Sequence, residues 1–396
     1  MLPPEFLIFG LTLLGVAAFH RRSLAIAACG FVAVIGYQWI FAEFPAGAGW
    51  AGLVAHASHE WVILTNLLLL LVGFALVSRH FEDSRVPAVL PHYLPDDWTG
   101  AFALLVIVFV ASAFIDNIAA ALIGGAMAHT LFRARVSIGY IAAIVAASNA
   151  GGSGSVIGDT TTTMMWIRGV APSQVAHAYV AATAALVVFG IAAARRQQRY
   201  SPIIKEARTS QRIDWTRVMI VVWVLACAVG VNGIVNLKLP QLAGRFPFIG
   251  VAVAFALIMT IPIRQPDWRA MPGALKGSLF LLCLVAAASL MPVKSLPDAS
   301  WGSTLALGFL SAIFDNIPLT ALALKQGGYD WGMLAYAVGF GGSMLWFGSS
   351  AGVAICGIFP EARSTAKWLR EGWLIAVAYV AGFALLLVTF GWRPAG

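Results

Sequence analysis

Apolar residues run along this chain in unbroken stretches of about twenty, divided by short polar or Pro-containing segments, and each stretch reads as a membrane-crossing helix. Ten such stretches stand at about residues 2 to 19, 23 to 42, 60 to 79, 139 to 168, 174 to 194, 216 to 236, 246 to 263, 276 to 291, 330 to 359 and 369 to 391. Between the third and fourth members of each set of five lies an apolar stretch that does not fit one crossing, near 99 to 132 and again near 300 to 325. Each of these predicts a re-entrant hairpin. A transmembrane barrel needs alternating segments of roughly ten residues, which are absent, so helices are left to satisfy the backbone in lipid. The pattern predicts an all-α polytopic membrane protein with two inverted repeats of five transmembrane helices, each holding a re-entrant hairpin and a discontinuous helix. The expected divisions are residues 1–194, a basic linker over 195–215, and residues 216–396, with the discontinuous helices at about 139–168 and 330–359.

Charge gives the orientation. The linker region carries Arg195, Arg196, Arg199, Lys205, Arg208, Arg212 and Arg217, which places it in the cytoplasm. With it go Arg21, Arg22, Arg79, Arg85, Arg133, Arg135, Arg264, Arg269, Lys276, Arg363, Lys367 and Arg370, so 19 of the 25 basic residues share one side. Both termini then lie on the periplasmic or extracellular side of a bacterial inner (plasma) membrane, and an odd number of crossings per half inverts the second repeat. The first segment has no basic region before it and opens on Pro3 and Pro4, so it reads as a retained helix and not a signal peptide. With 60% hydrophobic and only 11% charged residues, a soluble fold is excluded. The net charge of +8 belongs to membrane orientation and implies no nucleic acid. Cys29, Cys227, Cys283 and Cys356 lie in apolar segments without CxxC spacing, which implies neither a disulfide nor a cysteine-bound metal.

The chemistry lies in words that occur twice. SAFIDNIAAALI, from Ser112 to Ile123, matches SAIFDNIPLTAL, from Ser311 to Leu322, with Asp116-Asn117 and Asp315-Asn316 in register. Further on, each half has a glycine-rich interruption inside an apolar segment: SNAGGSGSVIGDTTTT from Ser148, and GFGGSMLWFGSSAG from Gly339. Paired interruptions in inverted halves point to a transport site at the bilayer midplane. Of the 17 acidic residues only Asp116, Asp159 and Asp315 lie well inside apolar segments. Each costs about 2.5 to 3.5 kcal/mol if charged at a helix centre, so all three are expected to face a polar cavity or a cation.

No Lys or Arg lies at that depth, which makes the site cation-selective. A hairpin tip offers a carboxylate, an amide oxygen and freed carbonyls, the hard ligands that a cation such as Na⁺ takes, with Asp116 and Asp315 as its carboxylates. Gly151, Gly152 and Gly154, like Gly339, Gly341 and Gly342, are expected to let the facing chain leave helical geometry. The alternative is that the Asp-Asn pairs only cap re-entrant helices. Asp159, followed by Thr160 to Thr163, reads equally as an N-cap or as a ligand, and Ser349 and Ser350 as ligands or as packing residues. Proton and cation competing for one carboxylate, with the site exposed to each side in turn, describes an antiporter that needs no bound cofactor. His129 and His177 read as interfacial residues, and Trp61, Trp98, Trp301 and Trp373 as belt anchors.

Four blocks, IDN, AASNAGGSGSVIGDTTTTMMW, SAIFDNIPLTAL and YAVGFGGSMLWFGSSAGVA, resemble the NhaD-type sodium/proton antiporters of the ion transporter superfamily, which share the citrate-transporter-like fold. The match is dense over residues 112–168 and 311–357. The resemblance implies paired hairpins and broken helices, a homodimer, and exchange of Na⁺ or Li⁺ for H⁺. It carries onto Asp116, Asn117, Asn149, Asp159, Thr160, Thr161, Asp315 and Asn316. Departures from the family pattern are Ala119 and Ala120, where hydroxyl residues are expected, and Val156, where a proline is expected. Sodium-coupled symporters of dicarboxylates or citrate share the architecture, but tend to have Ser-Asn-Thr where this chain has Asp-Asn-Ile. An intramembrane aspartyl protease would also use two buried aspartates, yet it needs two unlike motifs and not one duplicated word. No enzyme activity is expected.

Overall fold

The computed structural model describes residues 3–19, 22–203, 212–239, 242 and 245–394; Arg21 and the linker residues Lys205 and Arg208 lie outside them. The principal helices are, in chain order, α1 (Pro4–Ala18), α2 (Ser23–Phe41), α3 (Gly49–Asp83), α4 (Trp98–Ser112), α5 (Asn117–Leu131), α6 (Ile138–Ser153), α7 (Thr160–Ile167) and α8 (Ala178–Tyr200). The second half follows with α9 (Trp215–Lys238), α10 (Phe248–Thr260), α11 (Met271–Ser289), α12 (Trp301–Ser311), α13 (Asn316–Gln326), α14 (Trp331–Gly341), α15 (Ser350–Ile355) and α16 (Thr365–Phe390). No β-strand occurs among the described residues. Among the described residues six helical stretches are long and apolar enough to cross a membrane, and large apolar side chains such as Leu11, Trp223, Phe255 and Val388 stand exposed on the outside. An outward-facing apolar surface of this kind is what lipid covers, so the chain is an integral membrane protein.

Both hairpins form where the doubled word lies. The arms α4 and α5 have 15 residues each and α12 and α13 have 11 each, or about 22 and 16 Å at 1.5 Å per residue, short of the ~30 Å hydrocarbon layer. Both apolar interruptions also form: α6 stops at Ser153 and α7 starts at Thr160, while α14 stops at Gly341 and α15 starts at Ser350.

The chain leaves the α-helix at Gly154, as expected, but most of the other glycines act differently from the expectation. Gly151, Gly152 and Gly341 remain helical, and Gly342 begins a short 3-10 turn. Their use is close packing: a Cβ on Gly151 would stand 2.0 Å from the Phe109 carbonyl oxygen of α4, and one on Gly341 would stand 2.2 Å from the Gly308 carbonyl oxygen of α12. The first arm of each hairpin thus lies backbone to backbone on its broken helix. A serine fixes each pair, with Ser112 Oγ donating to Ser148 O at 2.5 Å and Ser311 Oγ donating to Val338 O at 2.6 Å.

The helices divide into two bodies, to which each half contributes alike. The inner body holds the hairpins, broken helices, α8 and α16 around one large core containing Tyr140, Phe189, Phe340 and Trp368. The outer body consists of α1, α2 and α3 from one half and α9, α10 and α11 from the other, with α3 running between two smaller apolar clusters. At 35 residues, or about 52 Å, α3 is far longer than the stretch 60–79 that hydropathy marks. His56, Ser58, His59 and Glu60 lower the apolar signal over its first turns without interrupting a backbone whose hydrogen bonds are internal.

Candidate functional site

The site starts from four helix N-termini. Each α-helix beginning leaves backbone N–H groups unpaired, and each is capped here by an acceptor that the sequence places one residue ahead. Asp116 (φ −51°, ψ 140°) caps α5 by accepting from Ile118 N at 3.2 Å, and Asp315 (φ −54°, ψ 142°) caps α13 through Ile317 N at 3.2 Å. Asp159 caps α7 through Thr161 N at 3.2 Å, and Ser349 caps α15 through Gly352 N at 3.2 Å. Capping is therefore real at all four. It leaves the carboxylates of Asp116, Asp159 and Asp315 facing cavities all the same.

A cavity of about 270 Å³ lies where the hairpin tips meet the outer body. Its polar side is made by Asp116, Asn117, Asp159, Thr160, Asn316 and Ser350, contributed by both halves, and its apolar wall by α3 and α11 residues such as Leu70, Phe74 and Phe280. A second cavity of about 280 Å³ receives Asp315 and shares Ile118, Phe280 and Ser350 with the first. Ser350 is the hinge between them, donating to Asp315 Oδ2 at 2.8 Å. No Lys or Arg is among the residues that line either cavity. Among the described residues no three acidic, His or Cys side chains gather closely enough to hold a metal ion. Asp116 and Asp159 share the first cavity with the neutral side chains of Asn117, Thr160, Asn316 and Ser350, while Asp315 lines the second with Ser350, so each carboxylate stands beside further hard oxygen donors of the kind that alkali cations take.

The remaining residues singled out by sequence stand behind this surface. Asn149 is fully buried, accepts from Asn117 Nδ2 at 3.0 Å and donates to Ser343 Oγ at 3.0 Å and Ser349 Oγ at 3.1 Å. Asn316 Nδ2 donates to Asp159 Oδ2 at 3.4 Å, tying the second hairpin to the first broken helix. Thr161 is buried, and its Oγ1 has no hydrogen-bond partner among the described residues. Ser148 serves through its carbonyl, and Gly151, Gly152, Gly341 and Gly342 shape the packing behind the tips without lining either cavity. Sequence reasoning missed Ser343, Thr163 and the whole apolar wall. Ser343 was discoverable, because GGS at 151–153 recurs at 341–343. His177 pairs at 2.9 Å with Asp330, whose other oxygen accepts from Arg393 N at 3.1 Å.

No family model matches the chain. It is 27% identical over 333 residues to sodium/proton antiporter 1 of Arabidopsis thaliana, covering 72% of this chain and 53% of the relative, and 28% identical over 327 residues to sodium/proton antiporter 2 of the same plant, covering 71% and 72%. It is 27% identical over 290 residues to the Na⁺/H⁺ antiporter NhaD of Alkalimonas amylolytica, covering 62% and 59%. The chain thus spans about half the length of the first of these and under two thirds of the last. Among solved structures, the YdaH transporter of Alcanivorax borkumensis aligns at 15% identity and a TM-score of 0.46, over 98% of this chain and 99% of that one. The likeness thus extends over most of the sequence, and the chain is similar to curated proteins named sodium/proton antiporters, one of them an NhaD.

Proposed function

We propose that the chain is a secondary transporter that exchanges Na⁺ or Li⁺ for H⁺ through its paired Asp-Asn sites. The observation that carries this reading is the cavity itself: two aspartates and an asparagine of the first half meet Asn316 and Ser350 of the second, with no basic side chain among the described lining residues, against an apolar wall that belongs to the other body. Three carboxylates at that depth need a positive partner, and the mobile candidates are a proton and a small cation. Held by one or the other in turn, a carboxylate couples the two fluxes. The names of the sequence relatives support the same ion pair. The wall supports alternating access, because an apolar seam between two bodies has few directional bonds to break when one moves past the other.

In this reading residues 1–194 and 216–396 are inverted repeats, the basic linker is cytoplasmic, and both termini lie outside a bacterial inner membrane. The test is proton flux in proteoliposomes with an inside-acid pH gradient, with Na⁺, Li⁺ or K⁺ added outside, for the wild type, Asp116→Asn and Asp315→Asn. Exchange is expected for Na⁺ and Li⁺ in the wild type, with a loss of at least a hundredfold in each variant. A wild type in which no cation moves protons at any pH, but which takes up labelled succinate or citrate with Na⁺, sinks the antiporter reading in favour of symport.

A further inference from the structure

The doubled words and the matching glycine contacts set the two halves in register around the site, which allows the equivalent positions to be compared chemically. Asp116 corresponds to Asp315 through the doubled hairpin word. Gly151, Gly152, Ser153 and Gly158 correspond to Gly341, Gly342, Ser343 and Gly348, the first two glycine pairs making the same close approach in their own halves. In that register Asp159 corresponds to Ser349, and both have the extended backbone of an N-cap, φ −141° against −142°. Asn149 then corresponds to Gly339.

The exchange of sizes is complementary. Where the first half has an amide at 149, the facing cap is the small hydroxyl of Ser349, 3.1 Å from Asn149 Nδ2. Where the second half has a bare glycine at 339, the facing cap is the carboxylate of Asp159, whose Oδ2 would stand 3.2 Å from a Cβ at that position. Amide with hydroxyl on one side of the pseudo-twofold axis is replaced by hydrogen with carboxylate on the other. Both arrangements meet the same need. Asn117 Nδ2 is taken up by Asn149 Oδ1 and Asn316 Nδ2 by Asp159 Oδ2, and among the described residues no donor reaches Oδ1 of either hairpin asparagine. Both asparagines line the cavity.

We propose that Asn149 and Asp159 are paired positioning residues, each holding the NH₂ of a hairpin asparagine so that its oxygen is presented to the cation, and that the neutral acceptor at 149 and the anionic one at 159 make the two pseudo-equivalent sites unequal, the second hairpin holding the cation more tightly. This rests on the cation-exchange reading above and assigns Asn149 no direct contact with the ion. Its fully committed amide and its absence from the cavity surface are the reasons. Ser343 and Ser349 accept from Asn149, and as hydroxyls they can equally donate, so a carboxylate at 149 is accommodated without an unpaired group. Gly339 takes part as the space that Asp159 occupies.

The test is a charge exchange across the pseudo-twofold axis: Asp159→Asn, Asn149→Asp and the double variant, with apparent KM for Na⁺ and maximal exchange rate measured in proteoliposomes and Na⁺-induced thermal stabilisation measured on the purified proteins. Asp159→Asn is expected to raise KM for Na⁺ at least tenfold and to reduce the thermal stabilisation by Na⁺ in parallel. Asn149→Asp alone lowers KM and moves the pH profile, because a second acceptor now carries charge. The double variant returns KM to within threefold of the wild type, and its stabilisation by Na⁺ returns with it. A double variant as impaired as Asp159→Asn, or an Asn149→Asp whose KM and pH profile match the wild type, overturns the proposal while leaving Na⁺/H⁺ exchange in place. A wild type that neither exchanges nor is stabilised by Na⁺ removes the exchange reading, and this proposal with it.

Discussion

Replacing Gly341 by alanine tests the packing on which the second site is built. A Cβ at that position would lie 2.2 Å from the Gly308 carbonyl oxygen and 2.8 Å from the Gly308 C and Cα atoms, whereas ordinary contact begins near 3.4 Å. The two backbones must therefore separate by 3.4 − 2.2, or about 1.2 Å, and no rotamer change relieves the clash because the obstructing atoms are main chain. Overpacking of this kind costs about 3 kcal/mol, the upper end of its usual range. At the unfolding entropy per residue of globular proteins this is a fall of about 4 °C in Tm. Moving α12 outward also draws Asp315 away from Ser350, whose bond to it is 2.8 Å long, so exchange is expected to fall at least tenfold. Gly230→Ala is the control, because nothing lies within 4 Å of its added carbon. Thermal unfolding followed by tryptophan fluorescence in detergent, together with proteoliposome exchange, reads both effects. If Gly341→Ala unfolds and transports like Gly230→Ala, the first hairpin arm does not rest on the broken helix and the geometry argued for the site is wrong.

Other consequences follow from single contacts. Gly151→Ala, with its Cβ 2.0 Å from Phe109 O, should destabilise as much as Gly341→Ala by the same fluorescence measurement, since the first half uses the same approach. Tyr140→Phe removes a buried 2.6 Å bond to Ala101 O and should cost about 1 kcal/mol, seen as a small loss of thermal stability with exchange unchanged. Lys325→Met removes two donations, to Ser289 O and Met291 O at 2.5 Å each, that join the second hairpin to the end of α11; thermal stability should fall, and limited proteolysis near residues 290–300 should accelerate. Asp214, at the start of α9, is partly desolvated, yet the backbone N–H groups of Arg217 and Thr216 and the Arg264 guanidinium hold its carboxyl below the usual range. A depressed carboxylate stabilises the fold at neutral pH and loses that contribution as pH falls through its folded pKa. The Tm difference between wild type and Asp214→Asn should therefore be present at pH 7, begin to shrink as pH falls to the ordinary carboxylate value of about 3.9, and vanish only below the depressed folded pKa.

Much of the architecture is legible from the letters, because in lipid a backbone has few ways to be satisfied and apolar length reports helix length almost directly. The hairpins at 98–131 and 301–326 agree with the stretches read from sequence to within two residues at each end, since short apolar arms meeting at Asp-Asn have few other arrangements. The first turns of α3 were illegible for the opposite reason. Helical geometry there does not depend on the side chains that hydropathy scores, so His56, Ser58 and His59 fall outside the stretch 60–79 while lying in a helix. The glycines were legible as important and misread in mechanism: periodicity cannot distinguish a glycine that frees the backbone from one that brings two helices together. Ser343 and the α3 and α11 wall were missed because neither is chemically distinctive. They belong to the site only through the register that relates the halves and through the packing of one body on the other.

That packing bears on how the site can be reached. Where the cavity opens, the bodies meet through apolar side chains, Leu70 and Phe74 of α3 and Phe280 and Leu281 of α11, and burial of such surfaces is non-directional. At the opposite end of the same seam the contacts are polar and directional. Arg168, just past α7, meets Glu60 of α3 at 2.8 Å, and Lys325 at the end of α13 reaches the carbonyls of Ser289 and Met291. An apolar seam tolerates a shift of one face over the other with little loss, since new contacts replace old ones, whereas hydrogen bonds to fixed carbonyls are lost within about an ångström. Resistance to relative movement is thus concentrated at the Glu60–Arg168 and Lys325 end, away from the carboxylates. The residues that bind and those that hold the bodies together are consequently different residues, and substitutions at the two ends should separate affinity for the cation from the rate at which the loaded site changes sides.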